Sequence, residues 1–271
     1  VSCFMIMCFA LCLIMNCFGL FIKPVTEDLG MSRQAFSMNS TMISAAMMVV
    51  SFFSGKVFSG RVSIKKIMMV ATVGLSASYA LYSMASTPVV FYAISIAVGI
   101  FLALLAQVPC SMLVNNWFRE KKGLAMGLVF MGSGVGGIIL NPIISALMGS
   151  VGWRMTYLVM AGVMFVAVAP CTFFLIRVRP EDKGLEPYGG RAQGGASEVY
   201  GMTYAEARRD LRFWLLLLSV MIITGCCASV VQQLASYVSD IGYSYEVWAM
   251  VSSCSLGLLA LGMLLTGRKQ D

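Results

Sequence analysis

Residues 115–137 read NNWFREKKGLAMGLVFMGSGVGG, and the interpretation of this run decides the fold. It opens with Trp117 and Phe118 beside Arg119, Lys121 and Lys122, the aromatic and basic mixture of a membrane interface on its cation-rich side. From Gly123 onward the run is apolar and uncharged. Gly132, Gly134 and Gly137 spell G-x-G-x-x-G, which marks a dinucleotide site only when a strand precedes it and a helix N-terminus opens to solvent. Here the three glycines lie inside an apolar stretch, where small residues serve the close approach of helices. Gly123, Gly127, Gly132 and Gly136, four or five residues apart, are expected on one packing face, with Asn141 and Pro142 further along the same helix.

The same logic extends outward in both directions. Hydrophobic residues make up 59% of the 271, and charged residues only 11%, against roughly 25% charged in a soluble domain. The charges are clustered, leaving apolar stretches of the ~20 residues that cross a bilayer as a helix. Eight spans are expected, near 1–23, 35–55, 66–86, 89–113, 123–148, 154–177, 213–237 and 246–267. Each must be helical, because unpaired backbone amides in lipid cost several kcal/mol and no closed strand pattern alternates.

Cations orient the chain. Sixteen of the 19 Lys and Arg fall on one side, in the turns after spans two and four, in the 178–212 loop and at the C-terminus. Only Lys23, Arg33 and Arg154 fall on the other. The N-terminus and the 178–212 loop are therefore expected in the cytoplasm. The first span has no basic leader or cleavage site, and with Val1 at its start the natural N-terminus is expected upstream. The loop is rich in Gly and Pro and divides the chain into a six-helix bundle (1–177), a cytoplasmic linker (178–212) and two further helices (213–271).

Several classes drop out. The basic excess forms no stripe with interleaved aromatics, so nucleic acid is not an expected partner. All nine cysteines lie in apolar spans, where a thiol acts as a small hydrophobe. With no His and no ligand spacing, neither metal nor cofactor is expected. A membrane-embedded enzyme would need paired carboxylates or an H-E-x-x-H run at membrane depth. The sequence offers neither, so no catalytic residue is assigned.

A second run, GKVFSGRVSIKKIMM (55–69), places Gly55 at a helix end and Lys56, Arg61, Lys65 and Lys66 in a basic turn. Together with the 115–137 run, the segment GWRMTYLVMAG from Gly152, RPEDKGLEPYG in the linker and AEARRDLRFWLL before span seven, it resembles the major facilitator superfamily. Within that family the chain looks like the monocarboxylate-transporter and oxalate/formate-antiporter branches. The resemblance covers essentially the whole chain, with the elements in the family's order. It implies an all-α membrane bundle of twelve helices, of which this chain would hold the first six and two of the second half. It further implies a monomeric carrier of a small organic anion in a cell membrane. Gly55, Arg61, Lys65 and the glycines of the fifth span would serve gating and packing. Ser59 stands where the family usually has Asp, and the eighth span lacks the family's cation. A truncated, non-transporting protein (remnant, sensor or assembly partner) is the alternative reading.

Polar residues inside spans are costly and tend to face a cavity. Asn16, Asn39, Tyr79, Tyr82, Gln107, Asn141, Gln232, Gln233 and Tyr237 qualify. Asn16, Gln107 and Gln232 have depths compatible with a shared central cavity between two halves. Interhelical hydrogen bonding, worth ~0.6 kcal/mol on average, is the other explanation for each amide. Lys23, directly before Pro24, is placed either to attract an anion at the outer mouth or to anchor the span by snorkelling. Pro109, Pro142 and Pro170 are expected to mark kinks. Apart from Glu246 at the outer edge of the eighth, the spans so drawn hold no Asp or Glu, which favours exchange over proton coupling, since a relay needs a titratable group in the membrane.

Overall fold

The computed structural model describes residues 1–58, 63–178, 180, 184, 186, 188, 189, 206, 208–242 and 245–269. The first span is a bent pair, α1 (Ser2–Asn16) and α2 (Phe18–Leu29), meeting at 42°. The ten residues Met7–Asn16 of α1 are wound as a π-helix before the break at Cys17. Such wide turns are rare and concentrate at functional sites. α2 outruns the expected span by a turn and a half and closes on Gly30, whose φ of 63° suits a residue without Cβ.

α3 (Arg33–Phe58) follows, and Gly55 lies within it rather than at its end. α4 (Ile64–Met84) and α5 (Pro88–Leu105) come next. The fourth span then breaks at Ala106 and continues as α6 (Gln107–Trp117). Pro109 sits in the first turn of α6, where a missing N–H costs little; the kink expected of it falls at Ala106 instead.

From Lys122 to Leu175 the chain runs helical for 54 residues as α7. At ~1.5 Å per residue that is about 80 Å, more than twice the hydrocarbon thickness. The break is at Gly152, with φ 76° and ψ 170°, so α7 holds two crossings. Pro142 leaves no non-helical backbone behind it, whereas Pro170 is followed by π-wound residues Cys171–Leu175. Beyond the linker come α8 (Leu211–Asp240) and α9 (Tyr245–Lys269). Among the described residues four helices are long and apolar enough to cross a bilayer, and the bent pair α1–α2 makes a fifth.

α7 is the hub. α1, α4 and α9 pack along it, α3 packs against α5, and α2 touches α8. The interior is sealed by Leu20, Phe21, Phe36, Met68, Phe91 and Leu102, all nearly inaccessible. Outside, Met48, Phe52, Val166 and Leu258 stand at least 70% exposed. That surface suits lipid and no aqueous medium.

Candidate functional site

The glycine run of α7 does not form one face. A Cβ built on Gly132 would lie 2.6 Å from the Phe4 carbonyl oxygen of α1, and one on Gly136 would strike the Cys8 carbonyl. A Cβ on Gly127 would instead meet the Met263 carbonyl of α9 at 2.7 Å, and one on Gly134 the Leu256 carbonyl at 2.5 Å. Gly123 lies against Gly267 on the same side. The expectation of a single stripe fails on geometry: the five-residue step from Gly127 to Gly132 turns the helix by about 140° beyond a full turn. Gly123, Gly127 and Gly134 thus face α9, while Gly132 and Gly136 face α1. The dinucleotide reading also finds no support, since Gly134 and Gly137 are covered by Leu256 and Ala260.

Where α7 and α9 part, they leave two spaces. One of about 530 Å³ is lined by Gly123, Gly127, Phe130, Met263 and Gly267, among others. The other, of about 750 Å³, lies between Ile138, Pro142, Ser145, Gly149, Met250, Ser253 and Cys254. The second has the size of a small-molecule pocket. Its lining is mainly apolar, with two serine hydroxyls.

The break in the first span supplies the polar groups. Asn16, half-buried at the end of α1, donates from Nδ2 to the Ser133 carbonyl of α7 at 3.1 Å. Cys12 and Cys17 bring their sulfurs to 3.9 Å across the bend. Six residues past Cys17, Lys23 is half-buried in α2, and its carbonyl accepts the Thr26 hydroxyl at 3.1 Å. Asn16 therefore anchors the π-wound segment to the glycine run of α7.

The other candidates scatter. Gln107 opens α6 exposed and makes no hydrogen bond with Asn16, so the two are not joined in one polar cluster. Asn141 is fully buried in α7, and Tyr237 is 62% exposed on α8. Lys65 is half-buried in the first turn of α4. Ser59, Arg61 and the side chains of Gln232 and Gln233 lie outside the described residues.

Sequence reasoning missed one assembly. Phe18, Phe21, Phe36, Tyr79, Tyr82, Phe91, Trp153 and Tyr157 form a continuous aromatic cluster, with Phe21 stacked on Tyr157 at 4.1 Å. A hydrogen-bonded chain crosses it: Tyr82 and Ser95 pair at 2.7 Å, and Ser95 Oγ donates to Asn39 Oδ1 at 3.0 Å. Asn39 and Tyr82, two of the polar candidates, tie α3, α4 and α5 together through Ser95. The spacings Phe18/Phe21, Tyr79/Tyr82 and Trp153/Tyr157, each three or four residues and hence one helix face, are the signal that could have found it.

Comparison with known proteins covers the same ground. The family model described as Major Facilitator Superfamily matches residues 4–271. The MFS-type transporter pytF of Aspergillus terreus is 28% identical over 77% of this chain and 67% of its own length. The uncharacterized MFS-type transporter YcxA of Bacillus subtilis is 28% identical over 61% of this chain and 40% of its own. Human monocarboxylate transporter 12 is 24% identical over 55% of this chain and 33% of its own. The chain thus spans between a third and two thirds of the length of these three relatives.

Proposed function

The chain belongs to the Major Facilitator Superfamily, and we propose that it carries a small organic anion across a membrane by alternating access. Family membership and the transporter names of its relatives support transport. The anion reading is supported by Lys23, half-buried in α2 just beyond the break of the first span. A cation near the outer mouth of the first span raises the local concentration of anions and favours a carboxylate over a neutral or cationic solute. The name of human monocarboxylate transporter 12 agrees with that chemistry.

Motion is assigned to the seam between α7 and α9. Backbone-to-backbone contact at Gly123, Gly127 and Gly134 lets the helices slide or part without moving large side chains. The 750 Å³ space along the same seam is the candidate passage. Exchange of one anion for another is the favoured mode, because no acidic residue lies mid-span to relay a proton. The linker and the N-terminus are assigned to the cytoplasm on the distribution of Lys and Arg.

Uptake of labelled lactate into proteoliposomes tests the reading, with formate, oxalate and pyruvate as competitors. Competition by at least one of the three is expected, and Lys23→Gln should raise KM about tenfold, as expected for loss of a charge-assisted contact. Uptake indifferent to all three competitors would reject an organic anion as the cargo.

A further inference from the structure

Away from the seam, the outer ends of α2 and α7 meet in a small charged knot. Asp28 stands in the last turn of α2, two residues before the left-handed Gly30. Gly152 breaks α7 so that the next two side chains reach across to it. Trp153 donates its indole N–H to Asp28 Oδ2 at 3.1 Å. Arg154 Nη1 donates to the same oxygen at 2.8 Å. The Arg154 guanidinium in turn lies 4.4 Å from the Trp153 ring centroid.

The parts are unequal. Asp28 and Arg154 are both nearly half exposed, and such a pair contributes little by itself. Trp153 is only 6% exposed, with Tyr157 and Phe91 behind it. A buried indole N–H left without an acceptor is far more costly than a loosened surface ion pair. Asp28 is therefore held in place chiefly by the indole.

What this contact fixes is the free end of a bent helix. α2 joins α1 through the single break at Cys17 and otherwise leans on α3, α7 and α8. Its half-buried Lys23 lies between the break and the knot. We propose that Asp28 is a positioning residue: with Trp153 and Arg154 it clasps the outer end of α2 to the break in α7 and so sets where Lys23 stands. The transport consequence rests on the anion reading; the clasp itself does not.

Cys17 gives a readout independent of transport, because it is fully buried at the break and becomes accessible only if α2 swings. Alkylation of the full chain in detergent by N-ethylmaleimide, mapped to Cys17 by mass spectrometry, measures this. Asp28→Leu should raise the Cys17 rate about tenfold, the consequence of stranding the indole N–H. Asp28→Asn keeps an acceptor and should stay within about twofold of the native rate. Trp153→Phe removes the donor, so on that background Asp28→Leu should add no more than about twofold. In proteoliposomes Asp28→Leu should raise the KM for lactate and leave Vmax nearly unchanged. A native Cys17 rate in Asp28→Leu, an undiminished effect on the Trp153→Phe background, or a fall in Vmax at constant KM would each overturn the proposal. Absence of uptake of lactate, formate, oxalate and pyruvate alike by the native chain would reject the anion reading and leave the Cys17 rates to judge the clasp.

Discussion

The two crossings within α7 are built by opposite means. From Gly123 to Gly137 the helix places glycines on two faces, and the backbones of α1 and α9 press against it there from different sides. Beyond Gly152 the same helix presents Trp153 and Tyr157, which fill space with rings and hold Phe21, Tyr79, Tyr82 and Phe91 around them. In lipid there is no hydrophobic driving force between helices, so each half relies mainly on close contact, one through backbone proximity and the other through aromatic area. Backbone contact tolerates sliding and no added volume. Aromatic packing tolerates neither loss of volume nor displacement. The first half suits a moving seam and the second a fixed frame.

Removing the frame should have the largest effect. Tyr157→Ala would open a void among Phe21, Tyr79, Tyr82 and Trp153 and cost about 3–4 kcal/mol, read as a lowered Tm in detergent. A native Tm would show that the cluster is not what holds the outer half together. Next comes Gly136→Leu, which drives a side chain into the α1 backbone at Cys8 and should cost about 2–3 kcal/mol. Gly162, on the second crossing of α7, has open space where its Cβ would stand, so Gly162→Leu should leave the Tm unchanged. Equal losses at the two positions would erase the contrast between the crossings.

Smaller effects sharpen it. Ser95→Ala breaks the bridge between Tyr82 and Asn39 and leaves two buried polar groups unpaired, for about 1–2 kcal/mol. The same assay checks it, and no change would mean that the three helices are registered by packing alone. The smallest effect belongs to Gly137→Ala, where the intruding methyl meets the tip of the Leu256 side chain rather than backbone. A rotamer change accommodates it at under about 1 kcal/mol. Gly134→Ala, facing the Leu256 carbonyl, should cost clearly more.

Much of this architecture could be read from residue order. The alternation of apolar runs with basic turns marks the crossings, because lipid imposes one length and one backbone solution on each. Gly152-Trp153 also announces the boundary between the fifth and sixth spans. What stayed hidden depends on rotation about helix axes and on tertiary contact. Gly123 and Gly136 look alike in a string yet face different partners. Gly55 looks like a terminator, but α3 continues to Phe58. Asn16 and Gln107 share a depth, but depth does not place two side chains against one another: Asn16 turns to Ser133. Ser95, an unremarked hydroxyl in an apolar helix, proves to be the middle of the buried chain that joins α3, α4 and α5.

The proposed movement along the α7–α9 seam can be tested by stopping it. In a chain otherwise free of cysteine, Ile138→Cys and Gly257→Cys would face one another across the seam, where a Cβ on Gly257 meets the Ile138 side chain at 3.4 Å and no backbone. Oxidation should form the cross-link and bring lactate uptake to background, and reduction should restore it. Full uptake with the cross-link in place would contradict the account, because the seam would then be part of the frame.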